Sequence, residues 1–204
     1  MDSTPKHKLI KHAQKLFLEK GLDGASIREI ANSAGVNISA ISYYFSGKEG
    51  LYQACIEDFG LETLSLVEKI LAPSSDLIDF EKKLSKFTEH IFGIYTERQE
   101  LVRLVFKELQ RDDKKEPSII GKSFVQLFKK LVAFFNSAKE QGIVREDLNP
   151  FITASLFMSS FFQAVCHDSN RETLFGCSIK DNENFREEYL KHITETFING
   201  ISVK

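Results

Sequence analysis

Apolar residues recur along this chain at intervals of three and four, the period of one helix face, and no stretch alternates at the period of a strand. Leu9, Ile10, Ala13, Leu16 and Phe17 form the first such face. Thr4-Pro5 opens it as a cap followed by the residue favoured at the first helical position, and Gly21 closes it. Ile27, Ile30, Ala31 and Ala34 form the second. Ser26 and Glu29 before and within it have capping-box spacing, and Gly35 tolerates the left-handed backbone of a tight exit. Asn37 is placed to cap a third, short helix reaching about Tyr44, with Ile41 and Phe45 turned inward one turn apart. Two short helices joined by a glycine turn, the second exposing Ser39, Ala40, Ser42, Tyr43 and Tyr44, predict a helix-turn-helix that reads DNA. The competing reading is a helical hairpin packed for stability alone, but such a hairpin has little reason to expose small polar residues beside two tyrosines.

The same period carries the rest of the chain. A fourth helix starts near Lys48 and runs through Leu51, Ala54, Cys55, Phe59, Leu64, Val67 and Leu71 to Ala72-Pro73, interrupted by Gly60. Asp76 caps a fifth with Leu77, Phe80, Leu84, Phe87, Ile91 and Ile94. Thr96 with Gln99 repeats the capping-box spacing and predicts a sixth, bearing Leu101, Val102, Val105, Phe106 and Leu109. Pro117-Ser118 opens a seventh, whose Ile120, Phe124, Leu127, Phe128, Leu131, Phe134, Phe135 and Ala138 lead to Gly142. Asn149-Pro150 opens an eighth that is apolar nearly all round, a loop is expected over Arg171 to Asn182, and a ninth spans about Glu183 to Ile201. The expected fold class is therefore all-α, with about nine helices. Residues 1–50 form a three-helix DNA-binding domain with a helix-turn-helix, and residues 51–204 a second helical domain.

Composition narrows the function. The 204 residues are 42% hydrophobic and carry a net charge of −2, so bulk electrostatics does not make this a nucleic-acid coat. The first fifty residues nonetheless hold seven Lys or Arg against five acids, a slightly basic head on an acidic body. Cys55, Cys166 and Cys177 show no metal-ligand spacing and are odd in number, which argues against a secreted disulfide framework and for a cytoplasmic protein. No signal-peptide pattern is visible. The only long uncharged stretch, Leu148 to Cys166, is too polar for an ordinary membrane span. No catalytic or metal-ligating constellation stands out, so neither an enzyme, a metal nor a cofactor is expected.

The run Ser26-Ile27-Arg28-Glu29-Ile30-Ala31, then Ala34-Gly35-Val36, Ile41, Tyr43-Tyr44-Phe45 and Lys48-Glu49 with Leu51, resembles the amino-terminal domain of the tetracycline-repressor (TetR) family of bacterial transcriptional regulators. The resemblance covers about Lys6 to Leu51. It implies that Ser39, Ala40, Ser42 and Tyr43 contact base edges or adjacent backbone, that Tyr44 and Lys48 hold phosphates, and that Arg28 grips a base or a phosphate. Family members often have Thr at the position of Ala40 and Tyr at that of Ser42, so this chain loses a hydroxyl and an aromatic ring at the groove. The resemblance further implies a dimeric, ligand-responsive repressor of a palindromic operator, paired through the eighth and ninth helices and released by a small hydrophobic or amphipathic effector.

Candidate effector contacts are polar residues set in apolar faces, His90, Arg103, Gln163 and His167, with Phe106, Phe124 and Phe128 as aromatic walls. Each phenylalanine is equally readable as core, and each polar residue as one that finds a partner within the fold. Arg103 would favour an acidic effector and Glu108 a cationic one. Two other readings stay open: a redox-responsive regulator using Cys166 and Cys177, or Cys55, and a helical interaction protein without DNA binding.

Overall fold

The computed structural model describes residues 4–98, 102 and 119–203, and these contain nine α-helices. They fall into two compact units. The first holds the described residues of Met1–Thr63 and Leu104–Ser123, the second those of Leu64–Arg103 and Phe124–Lys204.

In the first unit the local signals in the sequence do their expected work. Helix α1 (Pro5–Gly24) is capped by Thr4, whose Oγ1 accepts the His7 amide, and its regular backbone breaks at Gly21, where φ is 71°. Helix α2 (Ile27–Ala34) starts at Ser26, whose hydroxyl accepts the Glu29 amide at 3.1 Å. It ends at Gly35 with φ 66°, and the Val36 amide there reaches back to the Ala31 carbonyl. Helix α3 (Ser39–Phe45) is capped from Asn37, whose Oδ1 accepts both the amide and the hydroxyl of Ser39. Helix α4 (Lys48–Ile70) follows after Ser46 and Gly47, both at positive φ. Leu9, Ile10, Ala13, Phe17, Ile30, Ala31, Ile41, Phe45, Leu51 and Cys55 bury together as one core.

The unit takes in α4 as far as Thr63, where α4 is bonded to α1. Lys11 Nζ pairs with Asp58 at 3.3 Å and with Glu62, and Gln14 Nε2 donates to Asp58 and to the Cys55 carbonyl. The hydrogen bond to Glu62 is the main reason the Lys11 ammonium is held above its ordinary pKa.

In the second unit, Asp76 caps helix α5 (Leu77–Glu97) by accepting the Asp79 amide. Thr96 is not a cap. It lies inside α5 and its hydroxyl donates to the Gly93 carbonyl at 3.0 Å, the common local alternative for a threonine in a helix. The sixth predicted helix and the Pro117-Ser118 start lie outside the described residues. Helix α6 (Ile119–Glu140) and helix α7 (Pro150–Cys166, capped by Asn149) follow, then a short helix α8 (Asp168–Phe175) and α9 (Glu183–Ile201). Helix α8 occupies part of the expected loop, because Asp168 is buried and holds its first turn in place.

Aromatic packing centres on fully buried Phe157, whose ring lies 4.9 Å from those of Phe161 and Phe197 and 6.1 Å from Phe135. Phe80 stacks on Phe134 at 4.9 Å. Most of the phenylalanine wealth of this half is therefore spent on core. Among the described residues no helix is long and apolar enough to cross a membrane.

Candidate nucleic-acid interface

Helix α3 has only seven residues, too short to be stable alone, and its orientation comes from two anchors. Ile41 and Phe45 are buried, and the turn at Gly35 sets the chain's direction into the helix. With that face fixed, Ser39, Ser42 and Tyr43 face solvent and Ala40 is half-buried beside them. Tyr43 is 81% exposed, the most exposed large apolar side chain among the described residues. Its ring meets that of Tyr44 edge to face at 4.8 Å, so the two tyrosines brace one another instead of entering the core. Ile38, at the entry to the helix, is 39% exposed.

Arg28 on α2 is exposed and has no ion-pair partner among the described residues. Its acidic neighbour Glu29 is taken by Lys20, which, with the Ser26 amide, holds that carboxyl below its ordinary pKa. Lys48 is half-buried, and its Nζ donates to the Asp23 carbonyl at the end of α1, 3.3 Å away. A shallow hollow of about 570 Å³ beside α3 is lined by Pro5, Val36, Asn37, Ser39, Ala40, Tyr43 and Tyr44. The structure thus brings Ser39, Ala40, Tyr43 and Tyr44 to one surface, with Pro5 across from them as a member that sequence reasoning did not name.

The expected effector residues are more dispersed. His90 on α5 is half-buried, its Nε2 is shielded from solvent without a hydrogen-bond partner, and burial pushes its pKa down. Phe124 packs on Phe162 at 5.5 Å, and Phe128 meets Phe151 edge to face at 5.3 Å. Gln163 and His167 are exposed on α7 and at its end, facing away from the core that Phe157 and Phe161 enter. Arg103 and Phe106 lie outside the described residues.

All three cysteines are free. Cys55 is buried, its Sγ donates to the Ile10 carbonyl at 3.6 Å, and burial pushes its thiol up to about 12. Cys166 is exposed, and Cys177 Sγ is 3.4 Å from the Phe175 carbonyl. Since the thiolate is the reactive form, a thiol reagent at neutral pH should label Cys166 and Cys177 and leave Cys55 intact until the protein unfolds. Peptide mass mapping after timed labelling checks this. Rapid labelling of Cys55 in the folded protein would contradict it. Among the described residues no three His, Cys, Asp or Glu side chains come together to hold a metal ion.

Comparison with known proteins points the same way as this geometry. Residues 9–55 match the model of "Bacterial regulatory proteins, tetR family". Over 112 residues the chain is 35% identical to the "Probable HTH-type transcriptional regulator YttP" of Bacillus subtilis, covering 55% of this chain and 54% of that protein. It thus spans about half the length of this relative. Over 202 residues it is 23% identical to the HTH-type transcriptional repressor NicS of Pseudomonas putida, covering 95% of this chain and 90% of the repressor. The transcriptional regulator FadR of Bacillus subtilis, solved in complex with stearoyl-CoA, shares the fold at a TM-score of 0.66 and 15% identity over 95% of this chain and 98% of FadR.

Proposed function

Because this chain belongs to the tetR family of bacterial regulatory proteins, we propose that it is a dimeric DNA-binding repressor, released from a palindromic operator by a small hydrophobic or amphipathic effector. The observation that carries the reading is the exposed row of Ser39, Ser42 and Tyr43 on a helix whose other side is anchored by Ile41 and Phe45. A helix presented this way can enter a major groove with its own stability already secured by the core. Arg28 is the candidate base reader on the adjoining helix, and Tyr44 and Lys48 hold the flanking phosphates.

Two copies are needed because one seven-residue helix and a net charge near zero give little affinity by themselves. Helix α7 supports the dimer. It buries Thr153, Ala154, Phe157, Met158, Phe161 and Ala164, yet leaves Ile152 and Leu156 exposed on its other side beside Ser159 and Gln163. An apolar helix with one side uncovered suits a second copy packed against it, with α9 contributing at the edge.

The effector would bind the second unit, near His90, Phe124 and Phe128, and favour a conformation in which the two copies of α3 no longer match their half-sites. Fluorescence anisotropy with the duplex upstream of the protein's own gene, at fixed salt, tests the reading. Arg28→Ala and Tyr43→Ala are expected to weaken binding by about 5- to 150-fold, the range of one lost base contact. Fatty acyl-CoA esters, aromatic acids and cationic dyes then serve as effector probes of differing charge. Failure of the wild-type protein to prefer this duplex over scrambled DNA would overturn DNA readout, and indifference to every probe would overturn ligand control.

A further inference from the structure

We propose that the nucleic-acid surface does not stop at α2 and α3 but crosses the hollow onto α1, where Lys8 pairs with a phosphate of the duplex backbone. This extension rests on the DNA-binding reading above. Pro5, Lys8 and His12 are spaced by three and four, so they form one stripe along α1. Both ends of that stripe are pinned to the helix-turn-helix. Pro5 lines the hollow with Asn37, Ala40, Tyr43 and Tyr44, and His12 Nδ1 lies 2.7 Å from Ser33 Oγ near the end of α2. Lys8 lies on the stripe between these two contacts.

Of the five lysines of α1, Lys11 is held by Asp58 and Glu62 and Lys20 by Glu29, while Lys6, Lys8 and Lys15 have no ion-pair partner among the described residues, and of these three Lys8 is the one between the two pinned ends of the stripe. Lys8 is exposed. Among the described residues, none that lines the hollow is acidic, the first turn of α1 has no acid, α3 has none, and the one acid of α2 is the Glu29 that Lys20 occupies. A lysine on a flexible stem beside the helix-turn-helix, with no acidic partner among the described residues, matches the uniformly anionic backbone and carries no base preference.

The test is a salt titration of binding to the duplex upstream of the protein's own gene and to a scrambled duplex of equal length. Each phosphate neutralised contributes about 0.9 to the slope of log affinity against log salt. Lys8→Ala is expected to make the slope shallower by about 0.9 per protomer, or about 1.8 for a dimer, and to weaken both duplexes by the same factor. Lys8→Arg should restore the wild-type slope. Lys129→Ala, which removes the same charge from an exposed position of α6 in the second unit, should leave the slope unchanged. Wild-type slope in Lys8→Ala, or an equal change in Lys129→Ala, overturns the contact while leaving DNA binding standing. Absence of wild-type binding overturns the contact and the DNA reading together.

Discussion

Replacing Asp168 by alanine is expected to destabilise the second unit by about 3–5 kcal/mol, the range for removing one partner of a buried charge pair. Asp168 is 3% exposed and its two oxygens accept five donors. Oδ1 takes the Ile179 amide at 2.7 Å and Arg171 Nη1 at 2.8 Å. Oδ2 takes the Tyr95 hydroxyl, the Lys180 amide and the Ser178 hydroxyl between 3.1 and 3.2 Å. The carboxylate thus fastens the turn at 178–180 to α5 and to the start of α8. Alanine would take a buried acceptor away from two amides and from the Tyr95 hydroxyl, and would leave Arg171 with the Ala164 carbonyl and the face of Tyr189 as its partners among the described residues. Asparagine should do nearly as badly, since its amide turns two hydrogens toward donors. Urea unfolding should show a lower midpoint with an unchanged m-value. Asp147→Ala, which removes the carboxylate of an exposed pair with Arg145, is the contrast and should barely move the midpoint. Similar midpoints for the two variants would show that the Asp168 cluster contributes nothing special.

Gly50→Ala is expected to cost about 3 kcal/mol, the upper part of the overpacking range, and to abolish operator binding. Helix propensity pulls the other way, since alanine gains about 1 kcal/mol over glycine within a helix. The clash wins, because a β-carbon at Gly50 would sit 1.8 Å from the Phe45 carbonyl oxygen, a backbone atom that no rotamer change can move aside. Relief requires α3 and α4 to separate, which would disturb the anchoring of Phe45 and tilt the face bearing Tyr43. Gly200→Ala in α9 is the control. Nothing lies within 4 Å of its β-carbon position, so only the gain in propensity should remain. Thermal melts followed by circular dichroism give the stabilities, and anisotropy gives the binding. A Gly50→Ala protein that melts and binds like wild type would refute the close junction.

These two positions mark the limit of what sequence could show. In sequence Gly50 is an unhelpful glycine near the start of a helix. Its reason is the carbonyl of Phe45, brought close by the tight turn at Ser46 and Gly47. Asp168 stands at the edge of what read as a loop. Its donors come from Tyr95, far back in the chain, and from Ser178 to Lys180 ahead of it, a gathering that no local pattern announces. The misread Thr96 has the same origin: a capping-box spacing is a local offer, and the continuing helix α5 declined it.

By itself the sequence determined the all-α class, the caps at Thr4, Ser26, Asn37, Asp76 and Asn149, the turn at Gly35 and the polar face of α3. Each of these depends on residues within a few positions of one another, where backbone preference and hydrogen-bond geometry are decided. Only the tertiary structure decided that the first unit runs on to Thr63, that Phe157 is core, that Gln163 and His167 face outward, and that Lys11 is spent on α4 while Lys8 is free of such a partner among the described residues. Those outcomes turn on which distant side chains arrive at the same place, and periodicity along one helix carries no information about its neighbours.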